Sequence, residues 1–242
     1  MRKHHPGLGL LLAVAVAVAV TGCTKHDSDN ILTSGIHATI KASASGGGQT
    51  QVTATLFLGN PINLDFIELQ GDDELIAESG GIAKTMTETD ILNIVSYGAT
   101  FDGDAEGTEF TVQFLRTVDD GAPLSIATLP GAFDITTPPP AGASRAADLV
   151  IDWYPAGTAD RMSWRADGTC INLVTGTINA DPGTVTIPAN TFVKRDGDMV
   201  PDDCQVTVTL ERSRSGILDQ GYGEGGTVTG EQVRSLAFTS TL

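Results

Sequence analysis

From Ile36 onward, apolar and polar positions alternate with a period of two, the pattern of strands buried on one face. Ile36-His37-Ala38-Thr39-Ile40 opens the pattern, and the glycines between Ser43 and Gln49 turn the chain. Val52, Ala54, Leu56 and Leu58 then share one face, with Thr53 and Thr55 on the other. Further strands are predicted at 66–69, 75–77, 82–86, 110–115 and 124–129. Thr87-Glu88-Thr89-Asp90, ahead of Ile91-Leu92, is predicted to cap a single helical turn. No other helix is expected.

Near Pro130 the pattern restarts. Pro123, Pro130 and Pro138-Pro139-Pro140 break regular pairing and mark a boundary. A second set of strands follows at 150–153, 162–164, 170–174, 185–187, 206–210 and 233–238. Gly, Pro, Asn and Asp punctuate both sets roughly every 8–12 residues, the spacing of an antiparallel sandwich or barrel. Each set has the size of an immunoglobulin-like sandwich, about 100 residues with about seven strands. The expected fold is therefore all-β: two tandem immunoglobulin-like antiparallel β-sandwich domains, at 35–130 and 131–242. Val112-Gln113-Phe114-Leu115-Arg116 and Val208-Thr209-Leu210-Glu211-Arg212 both end a strand in arginine, a faint internal likeness.

The first 22 residues follow different rules. Arg2 and Lys3, with His4 and His5, precede an uncharged apolar run of 13 residues, Leu8 to Val20. Such a run is shorter than the roughly 20 residues of a spanning helix and suits the core of a signal peptide. Val20-Thr21-Gly22-Cys23 then resembles the lipobox of bacterial lipoproteins: an aliphatic residue, two small ones and a cysteine. That resemblance implies removal of residues 1–22, diacylglyceryl transfer to the Cys23 sulfur and anchoring in a bilayer through its acyl chains. Thr24, rather than Asp, follows the cysteine. By the same resemblance this favours the outer membrane, with the protein facing the periplasm or the cell surface. Residues 23–34 are polar and aperiodic and read as a tether.

Composition narrows the partners. Cut before Cys23, the chain keeps 12 Lys and Arg against 30 Asp and Glu, a net charge of −18. So acidic a surface argues against nucleic acid and against adsorption to anionic lipid. With Cys23 lipidated, Cys170 and Cys204 remain as an even pair in an oxidising compartment, and a disulfide between them is predicted.

The second half resembles envelope lipoproteins of proteobacteria with immunoglobulin-like folds. The likeness rests on D-L-V-I-D-W at 148–153, D-P-G-T-V-T-I-P-A at 181–189, C-Q-V-T-V-T-L-E-R at 204–212 and G-E-Q-V-R-S-L-A-F at 230–238. It implies a fold and an address, with no activity attached.

Catalytic chemistry is poorly provided for. A Ser-His-Asp hydrolase needs a histidine base, and beyond residue 22 there are only His26 and His37, with no Gly-x-Ser-x-Gly elbow. Zinc sites built from His and Cys fail for the same reason. Gly221-Tyr222-Gly223-Glu224-Gly225-Gly226 precedes a strand and not a helix, so it reads as a hairpin loop and not a phosphate cradle. Calcium is the remaining cofactor candidate. Asp102, Asp104 and Glu106 alternate as in an EF-hand, but the twelfth position is Gln113. Asp196 and Asp198, with Asp202 and Asp203, form a second acidic group.

The expectation is a membrane-anchored envelope lipoprotein, non-enzymatic, that binds or supports an envelope protein or glycan. The alternative is a carbohydrate-binding or calcium-dependent adhesion module with Trp153, Tyr154, Trp164 or Tyr222 exposed as a sugar platform.

Overall fold

The computed structural model describes residues 24–137, 142–197 and 199–242. The first half contributes β1 (Thr24–Asp27), β2 (Ile36–Ala44), β3 (Gln49–Leu58), β4 (Asp65–Glu68) and β5 (Glu74–Ser79). It continues with β6 (Ile82–Thr85), β7 (Thr87–Ile91), β8 (Ile94–Asp102), β9 (Glu109–Leu115) and β10 (Ala122–Thr128). The second half holds β11 (Asp134–Thr137), β12 (Gly142–Ser144), β13 (Leu149–Tyr154) and β14 (Arg161–Gly168). After them come β15 (Ile171–Ile178), β16 (Thr184–Ile187), β17 (Cys204–Ser215) and β18 (Gly226–Thr241).

The protein is all-β, and its mostly antiparallel sheets pack as sandwiches around two cores. One large sheet runs β1-β4-β3-β2-β18-β17-β14-β15, with the β7–β8 hairpin joined to β3. The sheet β10-β9-β5-β6 covers its first half, and β11-β13-β16 covers its second. The alternation explains the first core. Ile36, Ala38, Ile40, Ala42 and Ala44 on β2 point inward with Val52, Ala54 and Leu56 on β3. They meet Leu75, Ala77, Phe110, Val112 and Phe114 from the facing sheet. Leu149, Ile151, Trp153, Met162, Trp164, Val206, Val208 and Leu210 build the second.

The two halves are less separate than a boundary at Pro130 implies. The C-terminal hairpin β17–β18 crosses it. Gly226 to Gln232 of β18 pair in parallel with Ala38 to Ala44 of β2, while Val206 to Leu210 and Phe238 lie in the second core. Leu218, Tyr222 and Val228 return to the first core. Where β18 passes β10, Gly230 is required, because a Cβ there would collide with the Thr128 carbonyl. One continuous strand therefore carries both cores.

Two local expectations are corrected. Thr87 to Ile91 form a strand and no helical turn follows, because Thr87 and Thr89 alternate and Leu92-Asn93 reverse the chain. Residues 24–34 are not a free tether. β1 pairs in parallel with β4 from Thr24↔Asp65 to Asp27↔Glu68, so backbone hydrogen bonds hold a segment too polar to look like a strand.

Cys170 and Cys204 are joined in a disulfide, Cα atoms 5.7 Å apart, which ties the β14–β15 turn to the start of β17. Closing a loop across a separation of 34 residues is expected to contribute roughly 3 to 4 kcal/mol by the loop-entropy argument. Cys170→Ser/Cys204→Ser should lower stability by about that much in urea titrations. A loss below about 1 kcal/mol would mean the loop is already restrained without the bond.

Candidate functional site

The N-terminal segment is the best-defined feature outside the cores, and Arg116, just past β9, organises it. Its guanidinium is fully buried and donates through Nε to Asp73 Oδ2 at 3.0 Å. Nη1 donates to the Ile31 carbonyl at 2.8 Å and Thr33 Oγ1 at 3.0 Å, and Nη2 to the Ser28 carbonyl at 2.6 Å. One cation thus holds the first 3-10 turn through the Ser28 carbonyl, the link through Ile31, whose side chain packs against the first core, and the second turn through the Thr33 hydroxyl. Asp119 accepts the Thr33 amide at 2.6 Å. That bond, with the Asp120 amide, the Thr33 hydroxyl and the Arg116 charge, holds the Asp119 carboxyl below the usual carboxylate range despite its desolvation.

Between β1 and the returning chain lies an open cleft of about 690 Å³, walled by Lys25, His26, Asp27, Asn30, Leu32 and Leu58 among others. Lys25 and His26 in its wall are paired with carboxylates outside it. Lys25 Nζ bridges Asp90 at 2.9 Å and Glu68 at 3.1 Å, which raises its pKa. Asp65 accepts Thr24 Oγ1 at 2.6 Å and faces His26 Nε2 at 3.4 Å. The Thr24 bond first, then His26, keeps its carboxyl low against desolvation. Ser34 is also in the wall, and no hydrogen bond among the described residues joins it to His26.

The calcium candidates do not converge. Asp102 accepts the Gln49 side-chain amide at 3.3 Å, Asp104 accepts the Gly48 amide at 3.0 Å, and Glu106 lies 3.5 Å from Arg214. Each carboxylate serves a different neighbour, so this loop, which crosses from one sheet to the other, is tied to the β2–β3 turn and to β17. Asp196 is exposed, and Asp198 lies outside the described residues, as does Cys23. Among the described residues, no group of three or more His, Cys, Asp or Glu is placed to hold a metal.

The aromatic candidates part company. Trp153 is 3% exposed, Trp164 8% and Tyr222 3%, so all three are core residues, and only Tyr154, at 72%, faces solvent. A sugar platform of several aromatic faces is not assembled. Trp153 instead donates Nε1 to Asp181 at 2.7 Å. Asp181 also takes the Thr158 hydroxyl at 2.7 Å and amide at 3.1 Å, and Arg212 Nη2 at 2.8 Å.

Arg212 and Arg116 thus play matching parts, which the two arginine-ending pentapeptides signalled without saying why. Each side chain is wholly buried, pairs with an aspartate and donates to backbone carbonyls. Arg212 Nη1 reaches Gly131 at 2.8 Å and Nη2 reaches Pro155 at 2.7 Å. Each also lies over a phenylalanine ring, Phe114 or Phe133.

The fold and site define a disulfide-bonded, all-β protein with two sandwich cores on one shared sheet and an N-terminal segment clamped by a buried arginine. No known family profile matches the chain, and no curated protein does. It is similar to a solved chain described as "Cytokine receptor complex - Crystal form 1A", at 12% identity over 82% of this chain and 94% of that one. The TM-score is 0.26, and no argument rests on it.

Proposed function

We propose that this chain is a cell-envelope lipoprotein, cut before Cys23 and held by acyl chains on that cysteine. Its β-sandwiches act by binding or supporting another envelope component and not by catalysis. The observation that carries the reading is Val20-Thr21-Gly22-Cys23 directly after a 13-residue apolar run. The Cys170–Cys204 bond adds support, since disulfides persist in oxidising compartments outside the cytosol. Two or three acyl chains, at about 0.8 kcal/mol per buried methylene, make a lasting anchor. In the outer membrane, the address that Thr24 favours, a net charge of −18 would keep the domains in water and off anionic headgroups.

Growth of an expressing bacterium on radiolabelled palmitate tests the anchor. The wild-type chain is expected to carry label and Cys23→Ser to carry none. Label that persists in Cys23→Ser would refute the assignment.

A further inference from the structure

At one end of the first sandwich, exposed aliphatic side chains gather where the chain enters. The loop between β3 and β4 presents Ile62, 83% exposed, and Leu64, 48%. The β7–β8 hairpin presents Ile91 at 63%, Leu92 at 87% and Ile94 at 48%. The β8 ladder on β3 ends at Ala54↔Tyr97, and β4 takes over the same edge at Phe57↔Phe66, so the β7–β8 hairpin and the β3–β4 loop lie at the same end of the sheet. Lys25 ties the two elements through Glu68 and Asp90, and the Tyr97 hydroxyl takes the Leu69 amide at 2.8 Å.

The backbone under these side chains is unfavourable for leucine. Leu64 has φ 55°, and Leu92 and Asn93 have φ 56° and 65°. Two successive left-handed residues make the tight hairpin turn that favours Asn-Gly. Leucine gains nothing for the fold in that conformation, and its side chain is left in water. Strain together with apolar exposure is what a contact surface requires and a solvated loop avoids.

The chain itself says what covers this surface. The Thr24 amide donates to the Leu64 carbonyl at 3.3 Å, and Thr24 is the residue that follows Cys23 in the sequence. The acyl anchor therefore leaves from beside Leu64. β18 runs the other way: its first residues pair with Ala38 to Ala44, and its 16 residues extend about 50 Å away from that end at about 3.3 Å per residue. We infer that Ile62, Leu64, Ile91, Leu92 and Ile94 form a bilayer-contacting tip that seats the first sandwich on the membrane and holds the second away from it. This rests on the lipoprotein reading above.

The test uses the full mature protein in dioleoylphosphatidylcholine vesicles, with its acylation checked by mass. An environment-sensitive fluorophore is placed at Leu92→Cys, at Ile62→Cys and, as a distal control, at exposed Leu173→Cys on β15. Quenching by doxyl-labelled lipid is expected to be several-fold stronger at 92 and 62 than at 173. Equal quenching at all three positions of an acylated chain overturns the tip and leaves the anchor standing; an unacylated chain overturns both. Leu92→Asn, which suits the turn, is expected to fold at least as stably as wild type while weakening quenching at position 62. A less stable variant would mean that leucine serves the fold, and would overturn the inference.

Discussion

Asp181→Ala is expected to lower the unfolding free energy by about 3 to 5 kcal/mol, the cost of leaving one partner of a buried ion pair alone. Both side chains of the Asp181–Arg212 pair are fully buried at 2.8 Å. Removing the carboxylate strands the guanidinium, whose Nε already lacks a partner, and also the Trp153 indole N–H and the Thr158 hydroxyl. Urea titration measures the loss. Replacing both partners, as Asp181→Leu/Arg212→Met, should cost clearly less, because no uncompensated charge remains. If the double variant is as unstable as the single one, packing and not charge dominates the site.

The same carboxylate has a pH signature. Desolvation pushes Asp181 up, but hydrogen bonds from Thr158 and Trp153 and the Arg212 charge outweigh it and hold the carboxyl below the ordinary range. A carboxylate with a lowered native pKa contributes its stability above the unfolded value, near 4, and loses it as the pH falls through the native one. Asp181→Asn should therefore lose less stability than wild type as the pH falls below about 4.

How much of this was legible in the sequence depended on the kind of interaction. β2, β3 and β9 announced themselves because their buried positions alternate. β8 alternates too, with buried Val95, Tyr97 and Phe101 set between Ser96, Gly98 and Thr100, but Gly98-Ala99 leaves a gap in its apolar face, and its place is set by pairing with β3. β1 was invisible for a stronger reason. Thr-Lys-His-Asp has no apolar face, and what holds it is backbone pairing to β4, while the buried Arg116 holds the carbonyls of Ser28 and Ile31 just beyond it. Sequence periodicity reports burial of side chains and says nothing of carbonyls satisfied at a distance. For the acidic candidates Asp102, Asp104 and Glu106 the limit is different: spacing along a loop cannot show which neighbour each carboxylate meets. The disulfide was readable because compartment and parity left one pairing. The two buried arginines were visible as a likeness of two pentapeptides; Arg116 lies just past β9 and Arg212 within β17, and only the fold showed that each meets a buried aspartate.

Arg116→Met should cost about 3 to 5 kcal/mol for the same physical reason, and it should do something Asp181→Ala does not. Arg116 neutralises buried Asp73 and also satisfies the carbonyls of Ser28 and Ile31. Methionine fills part of the volume but makes none of these bonds. Amides at 24–35 are therefore expected to exchange with solvent deuterium faster in Arg116→Met at pH 7, beyond the shift that β2 and β3 share through lower global stability. Asp73→Asn keeps the arginine and its carbonyl contacts, so it should destabilise without selectively freeing the segment. Uniform exchange changes in both variants would mean β1 pairing alone holds the N-terminus. The selective result would make Arg116 the residue that fixes residues 24–35 against the first sandwich.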